Sequence, residues 1–327
     1  MNSRVQAPID SGLHAKSTAL EAVAGVDLNG RRAVVTGGYS GIGIETTRAL
    51  ASAGAQVVVP ARRPDAAAQA LAGMADDLPG SVVVASMDLA DLGSVRAFAR
   101  DYLEAHESLD LLINNAGIMA CPLQRVGPGW ESQFGVNHLG HFALATGLLP
   151  ALRRAAGARV IALSSSAHIR GGVQWDDPQF ERGDYDKWVA YAQAKSANAL
   201  FALGADERWQ ADGVRTFSVH PGGIFTPLQR HLSDEEMTAL GWKNADGSIP
   251  PAVAALFKTP EQGASTTLFA ATSPQLAALG GLYCEDANVA AAAGDDSPPY
   301  QHAREWICDL AAAERLWDMS TDLLAAA

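Results

Sequence analysis

The sequence predicts an α/β fold in which one doubly wound parallel sheet lies between two layers of helices. Two observations support this prediction. Short apolar runs such as 57–59 and 160–163 alternate with longer helical patterns along the chain. A glycine-rich turn, residues 36–43, follows the first apolar run and precedes a helical pattern. Strands that are apolar throughout are typical of a parallel sheet that is covered on both faces.

The order of elements follows from the same patterns. Apolar runs bounded by turn residues predict strands at 33–35, 57–59, 82–84, 111–113, 160–163, 214–219 and 281–284. Helical spacing predicts helices at 44–53, from Pro64 onward, at 91–106, at 189–209 and at 311–324. Polar motifs follow most of these strands, at the edge where doubly wound sheets bind ligands. The architecture is therefore of the Rossmann type.

Composition limits the classes of function. The chain has 24 basic and 36 acidic residues, a net charge of −12, which argues against a nucleic-acid or anionic-membrane partner. No apolar run is long enough for a membrane span, and the first 30 residues lack a secretory signal. Cys121, Cys284 and Cys308 lack metal-ligand spacing and are interpreted as small core residues in a reducing compartment. We expect a cytoplasmic protein without a metal site.

The glycine-rich turn predicts a phosphate site. Gly37, Gly41 and Gly43 would allow the backbone to approach a pyrophosphate, and the helix behind them offers free N–H groups. A turn without a ligand is the alternative. After the second strand, Ala61-Arg62-Arg63 provides no acid for a ribose hydroxyl, whereas an arginine suits a 2′-phosphate. NADP(H) is the expected cofactor, NAD(H) remains open, and the alternative for the arginines is a solvated surface.

Tyr191 and Lys195 are four residues apart, so a helix places them on one face. An ammonium near a phenol lowers the pKa of the phenol and prepares it to exchange a proton with a carbonyl or alcohol. This pair alone is a weak signal. Together with the upstream glycine turn it indicates an oxidoreductase.

At this point the chain resembles the short-chain dehydrogenase/reductase family over residues 30–285. The matching motifs occur in family order: 36–43, Asp88-Leu89, 114–117, Asn137, Ser165, Tyr191 with Lys195, and 221–226. The long 165–191 segment, the run 136–142 and the final helix with Trp317 are similar to the retinol-dehydrogenase-like branch. The branch does not fix the substrate.

The resemblance implies a role for each matching position. Tyr191 would be the general acid and base, Lys195 would lower its pKa and bind the nicotinamide ribose, Ser165 would hold the substrate oxygen, and Asn137 would hold a relay water. Ser164 and Ser166 leave the serine assignment open by one position. The implied cofactor-binding residues are Gly37, Tyr39, Ser40, Gly41, Ile42, Arg62, Asp88, Leu89, Asn115, Ala116, Gly117, Tyr191, Lys195, Pro221, Gly222, Ile224 and Thr226.

The predicted organisation has three parts. Residues 1–30 form an N-terminal extension, 31–285 a dinucleotide-binding catalytic domain, and 286–327 a C-terminal loop and helix. Residues 226–258 would be a lid over the substrate, with a mobile helical insertion at 234–255. Aromatic residues that would wall a pocket or pack in the core, with equal expectation, are Trp175, Phe180, Trp188, Phe225 and Trp242.

The predicted function is reversible hydride transfer between NADP(H) and a carbonyl or alcohol on a hydrophobic small molecule. A non-catalytic nucleotide-sensing protein on the same fold is the alternative, and an epimerase or dehydratase is a weaker one. Self-association into a homo-oligomer is left open. His138, His141, His168 and His220 have no carboxylate or metal pattern around them and are expected to be structural.

Overall fold

The computed structural model describes residues 5–327 and arranges them around one eight-stranded sheet. The strands are β1 (Arg32–Val35), β2 (Gln56–Ala61), β3 (Ser81–Ser86), β4 (Leu111–Asn114), β7 (Arg159–Leu163), β8 (Arg215–His220), β9 (Leu282–Glu285) and β10 (Asn288–Val289), with β5 (Arg125–Val126) and β6 (Trp130–Glu131) forming a separate hairpin. The strand order in the sheet is β10-β9-β8-β7-β4-β1-β2-β3, and only the β9–β10 pair in this sheet is antiparallel. The doubly wound α/β prediction is confirmed, and the two-residue strand β10 at the edge of the sheet runs antiparallel to β9.

Helices cover both faces of the sheet. They are α1 (Ala19–Ala22), α2 (Ile42–Ser52), α3 (Pro64–Leu71), α4 (Leu92–Ala105), α5 (Ser132–Phe134), α6 (Gly140–Arg154), α7 (Lys187–Trp209), α8 (Asp234–Ala239), α9 (Pro251–Leu256), α10 (Pro260–Thr272) and α11 (Leu310–Ala325). A π-helical turn, Gly135–Leu139, joins α5 to α6, and short 3₁₀ turns include Ser166–Arg170 and Pro227–Gln229.

Successive side chains of the apolar strands point to opposite faces of the sheet, and both faces are covered by helices, so each side chain is buried in one of two cores. On β4, Leu112 packs with α4 and α6, whereas Ile113 packs with α2 and α10. Neither side chain is exposed. Burial of each such side chain contributes roughly 1.5–3 kcal/mol relative to exposure. This two-sided burial explains why the sequence shows continuous apolar runs in place of alternation.

The first and last segments of the described residues 5–327 are packed on this framework. Trp317 of α11 lies against Phe142 and Phe201, with ring centroids 4.8 and 6.2 Å apart. Near the N-terminus, the side-chain amide of Gln6 donates hydrogen bonds to the carbonyls of Tyr283 and Ala290. Gln6 and α11 therefore contribute contacts to the sheet and its helices.

Two further expectations concern the burial of the cysteines and membrane-spanning helices. Cys121 and Cys284 are buried, but Cys308 is exposed, because it lies in the turn that precedes α11. The core assignment of Cys308 was therefore wrong. Over the same described residues, none of the helices combines the length and the apolar character that crossing a membrane requires.

Candidate active site

A cavity of about 740 Å³ opens at the carboxyl ends of the parallel strands. The strand order reverses between β1 and β4, which is the position where doubly wound sheets bind ligands. Sixteen of the residues expected from the sequence line this one cavity: Gly37, Tyr39, Ser40, Gly41, Ile42, Arg62, Asn115, Ala116, Gly117, Ser165, Tyr191, Lys195, Pro221, Gly222, Ile224 and Thr226. Segments that are far apart in sequence thus share one surface.

The glycine turn has the geometry of an anion cradle. Gly41 precedes α2 with φ +56° and supplies no side-chain cap. The N–H of Gly43 donates to the carbonyl of Ser40 at 3.1 Å, whereas within residues 5–327 those of Ile42 and Ile44 have no backbone partner and can donate to a ligand. A Cβ on Gly43 would lie 2.2 Å from the carbonyl oxygen of Gly37. The turn can therefore close only around glycine at position 43.

A chain of hydrogen bonds joins this turn to the next site segment. The carbonyl of Asn137 can only accept, so His141 donates from Nδ1 (2.9 Å) and its Nε2 accepts from the Thr36 hydroxyl (2.8 Å). The Thr36 oxygen in turn accepts the backbone N–H groups of Asn115 and Ala116, both at 2.9 Å. Burial lowers the pKa of His141 to about 4, so the ring is neutral near pH 7. His141 is structural, as expected, but it connects segments that line the site.

Arg62 and Arg63 follow β2 directly and line the cavity with exposed side chains. Within residues 5–327, neither guanidinium has a hydrogen-bond or ion-pair partner. Asn115 contributes another free group, because its side-chain oxygen is buried without a partner. These atoms are available to a ligand that brings acceptors and donors of its own.

Tyr191 and Lys195 lie one turn apart on α7, and both are nearly fully buried. Asp186 caps this helix by accepting the N–H groups of Trp188 and Val189. The Lys195 ammonium lies 5.6 Å from the centroid of the Tyr191 ring and donates to the carbonyl of Leu163 at 3.0 Å. The end of β7 thus holds the lysine beside the tyrosine.

Burial is the main influence on the pKa of both groups. It raises the pKa of Tyr191 well above the usual value of 10.0, while a hydrogen bond with Ser165 acts in the opposite direction. Burial also lowers the pKa of Lys195 from 10.5 to about 8. The raised pKa of Tyr191 differs from the expectation that the Lys195 ammonium lowers it. In the protein alone, desolvation is the larger effect, because Tyr191 packs with Met119 and Ala120.

The structure discriminates among the three serines. The Ser164 hydroxyl is buried and donates to the backbone carbonyl of Lys195 at 2.7 Å. The Ser165 hydroxyl lies beside Tyr191, where it acts to lower the pKa of the phenol, and it accepts the N–H of Ala167 at 3.1 Å. Ser166 contributes its backbone N–H to His220. The geometry therefore favours Ser165 as the hydroxyl beside the tyrosine.

Three predicted site residues, Asn137, Asp88 and Leu89, are absent from the described lining of the cavity. The side chain of Asn137 is committed to Ile118, accepting its N–H and donating to its carbonyl, both at 2.9 Å. Asp88 accepts the N–H of Ala90 in the turn before α4, and Leu89 is buried below Gly140. A Cβ on the lining residue Gly117 would lie 3.1 Å from the side-chain oxygen of Asn137, so Asn137 lies directly behind the lining. The roles that the resemblance implies for Asn137, Asp88 and Leu89 stay predictions.

The aromatic residues divide between pocket and packing. Trp188 and Trp242 line the cavity together with Leu228 and Leu240, whereas Met237 packs behind them. Trp175, Phe180 and Phe225 are not among the described lining residues. Their partners are Arg315, Tyr185 and Phe257, respectively.

Several polar side chains that line the cavity were not predicted from the sequence. The Lys258 ammonium donates to Asp286 at 2.7 Å, and the Glu285 carboxylate accepts the N–H of His302 at 2.9 Å. Burial raises the pKa of Glu285 from 4.5 to about 7. His220, whose pKa is lowered to about 3 by burial, also lines the cavity. The signal for Glu285 was its place at the end of a predicted strand.

Comparisons with known proteins agree with this geometry. The family model described as short chain dehydrogenase matches residues 31–237. A "Probable oxidoreductase" of Streptomyces antibioticus is 47% identical over 307 residues, covering 92% of this chain and all of the relative. "Retinol dehydrogenase 12" of Homo sapiens is 38% identical over 306 residues, covering 91% of this chain and 88% of the relative.

Solved structures give the same result. A putative uncharacterized protein from Mycobacterium paratuberculosis has a TM-score of 0.71 at 32% identity, covering 95% of this chain and 98% of its own. The RhlG/NADP complex of Pseudomonas aeruginosa has a TM-score of 0.61 at 26% identity, covering 79% and 95%. The chain is a member of the short-chain dehydrogenase/reductase family, similar to its retinol dehydrogenases, and is an NAD(P)-dependent oxidoreductase.

Proposed function

We propose that this enzyme interconverts a carbonyl and an alcohol on a hydrophobic small molecule, with NADP(H) as cofactor and Tyr191 as general acid and base. The observation that carries the proposal is the meeting of Tyr191, Lys195 and Ser165 in the cavity that also contains the glycine turn. A protein that only senses a nucleotide would not need a buried tyrosine and lysine at the centre of its pocket. This observation disfavours the non-catalytic alternative.

The residues fit a dinucleotide. Gly37, Gly41 and the N–H groups of α2 would hold the pyrophosphate, while the unpartnered Asn115 oxygen can accept from a ligand. Ile224 and Thr226 would orient the carboxamide from the opposite wall. When bound, the cofactor supplies or accepts the hydride.

The proton chemistry is assigned to this chain's own residues. The Tyr191 hydroxyl donates its proton to the substrate oxygen in reduction and recovers it in oxidation. The Ser165 hydroxyl holds that oxygen in place. The Lys195 ammonium contributes positive charge beside the phenol, and its hydrogen bond to Leu163 fixes its position. Asn137 supports Ile118 behind this group, and a relay water on Asn137 would use its backbone carbonyl.

The choice of NADP(H) is supported by Arg62 and Arg63, whose guanidiniums lack partners among residues 5–327 and line the cavity after β2. Replacing Arg62 with alanine should weaken NADPH binding about tenfold and leave NADH binding unchanged, because charge-assisted hydrogen bonds contribute roughly 1.5–3 kcal/mol. Cofactor fluorescence titrations measure both affinities, with Arg182→Ala as an exposed control outside the cavity. Preference of the parent for NADH, or unchanged NADPH affinity in Arg62→Ala, would show that the assignment is wrong.

A hydrophobic substrate is supported by the apolar part of the wall. Leu228, Leu240 and Trp242 all come from the 226–258 segment, and Trp188 faces them from α7. The two ends of this segment are joined by a backbone bridge between Ile224 and Lys258, so the segment can act as a lid. A panel of carbonyls and alcohols, assayed by cofactor absorbance, tests the reaction class. A cytoplasmic location and self-association remain predictions.

A further inference from the structure

The balance of basic and acidic side chains in the cavity lining is the reverse of that in the whole chain. The chain has 36 acidic and 24 basic residues, yet the cavity lining includes six basic side chains and two acidic ones. Lys258 and Asp286 pair with each other at 2.7 Å. Lys195 and the two arginines after β2 belong to the proposed cofactor site. Arg170 and Arg230 therefore remain without an assigned role.

These two arginines lie on the substrate side. Arg170 follows β7 and Arg230 follows β8, whereas Arg62 follows β2 on the other side of the strand reversal. Within residues 5–327, neither Arg170 nor Arg230 has a carboxylate partner, and the one hydrogen bond of the Arg230 guanidinium is to the backbone carbonyl of Pro227. Both side chains are exposed at the cavity wall, so an anion can reach them.

Arg170 is connected to the reacting centre through Trp188. Its guanidinium carbon lies 5.4 Å from the Trp188 ring centroid, and that ring lies 6.4 Å from the Tyr191 ring. The guanidinium is therefore within about 12 Å of Tyr191. Stacking on the indole also restrains the guanidinium and leaves its N–H edge free to bind a carboxylate. Leu228 and Trp242 pack in the same apolar cluster as Trp188 and Tyr191, and both line the cavity.

From this arrangement we infer that the substrate is an amphipathic carbonyl or alcohol whose far end carries a carboxylate, with Arg170 as its main anchor and Arg230 as a second cation. The inference rests on the proposed function for the reacting end of the molecule. The apolar middle would pack on Trp188, and the carboxylate would remain at the mouth, where its desolvation is small. Positive charge at the mouth of an acidic protein would also attract such substrates selectively.

The test uses ligand binding, so it does not depend on turnover. Decanoate, decanol and decylamine are titrated calorimetrically into the NADP-saturated enzyme. We expect decanoate to bind about tenfold more tightly than decanol, and decylamine to bind most weakly, since hydrogen bonds to charged groups contribute roughly 1.5–3 kcal/mol. Arg170→Gln should remove the advantage of the acid, and Arg170→Glu should reverse the order of acid and amine. Arg182→Gln, an exposed arginine of the same connection outside the cavity, should keep the wild-type order.

A second measurement separates this inference from the proposed function. ω-Oxononanoic acid and its methyl ester are compared as aldehyde substrates, and the acid-to-ester ratio of kcat/KM should fall about tenfold in Arg170→Gln. Acid-selective binding without any turnover would retain the anion site and overturn the carbonyl and alcohol interconversion that is proposed for these substrates. Turnover without acid selectivity, no measurable decanoate binding, or an equal loss in Arg182→Gln would overturn the inference.

Discussion

Replacing Glu285 with glutamine should remove a pH-dependent loss of stability. Burial raises the pKa of this carboxyl from 4.5 to about 7, with the neighbouring Asp286 acting in the same direction and Lys258 opposing it. In the folded state the protonated form is therefore favoured. Its contribution to stability is complete below about pH 4.5 and is lost as the pH rises through about 7. A shift of this size corresponds to about 3 kcal/mol, at 1.36 kcal/mol per pKa unit.

The assay is urea denaturation of both proteins at several pH values between about 5 and 8. The free energy of unfolding of Glu285→Gln minus that of the parent should increase with pH by up to about 3 kcal/mol. Glutamine keeps an oxygen that can accept the N–H of His302, so the local hydrogen bond is preserved. Glu305→Gln, an exposed carboxylate in the same tail, serves as the control and should give a flat difference. A flat difference for Glu285→Gln as well would refute the buried-carboxyl argument.

Two further predictions concern positioning and movement. His141→Phe should weaken NADP(H) binding about tenfold more than His138→Phe does, because only His141 hydrogen-bonds to Thr36, whereas His138 hydrogen-bonds to α11. Fluorescence titration measures both affinities, and equal losses in the two variants would contradict the prediction. In hydrogen exchange, cofactor plus substrate should protect residues 226–258 and leave residues 174–186 unchanged, because hydrogen bonds to the β5–β6 hairpin and α7 already hold 174–186 in place. Protection of 174–186 alone would show that 226–258 is not the segment that closes.

The sequence predicted most of the sheet because two-sided burial produces apolar runs that are easy to locate. It did not identify α6 and α10. α6 carries Pro150 inside an apolar pattern, and α10 is buried nearly all round, so it lacks the one-sided periodicity of a surface helix. The short β10 pairs antiparallel over two residues, which leaves little pattern to detect. Helix boundaries that depend on a cap, such as Asp186, differed by about two residues.

For the site, the motif residues could be predicted because each is tied to a strand end or a helix turn. The wall formed by Lys258, Asp286 and Glu285 could not, because a sequence does not show that the end of the lid meets the end of β9. The roles of Trp175 and Phe180 were equally undetermined, since an aromatic residue in a loop can face a pocket or a neighbouring chain segment. Both residues pack against the protein, while Trp188 faces the cavity.

The proposed chemistry depends most directly on the proton carrier, so the central measurement is turnover by Tyr191→Phe on a substrate that the parent accepts. The phenyl ring keeps the buried packing and removes only the hydroxyl. We predict a fall in kcat of about 10²- to 10⁴-fold with NADPH affinity nearly unchanged. Tyr300→Phe, a change at an exposed cavity-lining residue, should retain parental turnover. Parental turnover by Tyr191→Phe would contradict the assignment.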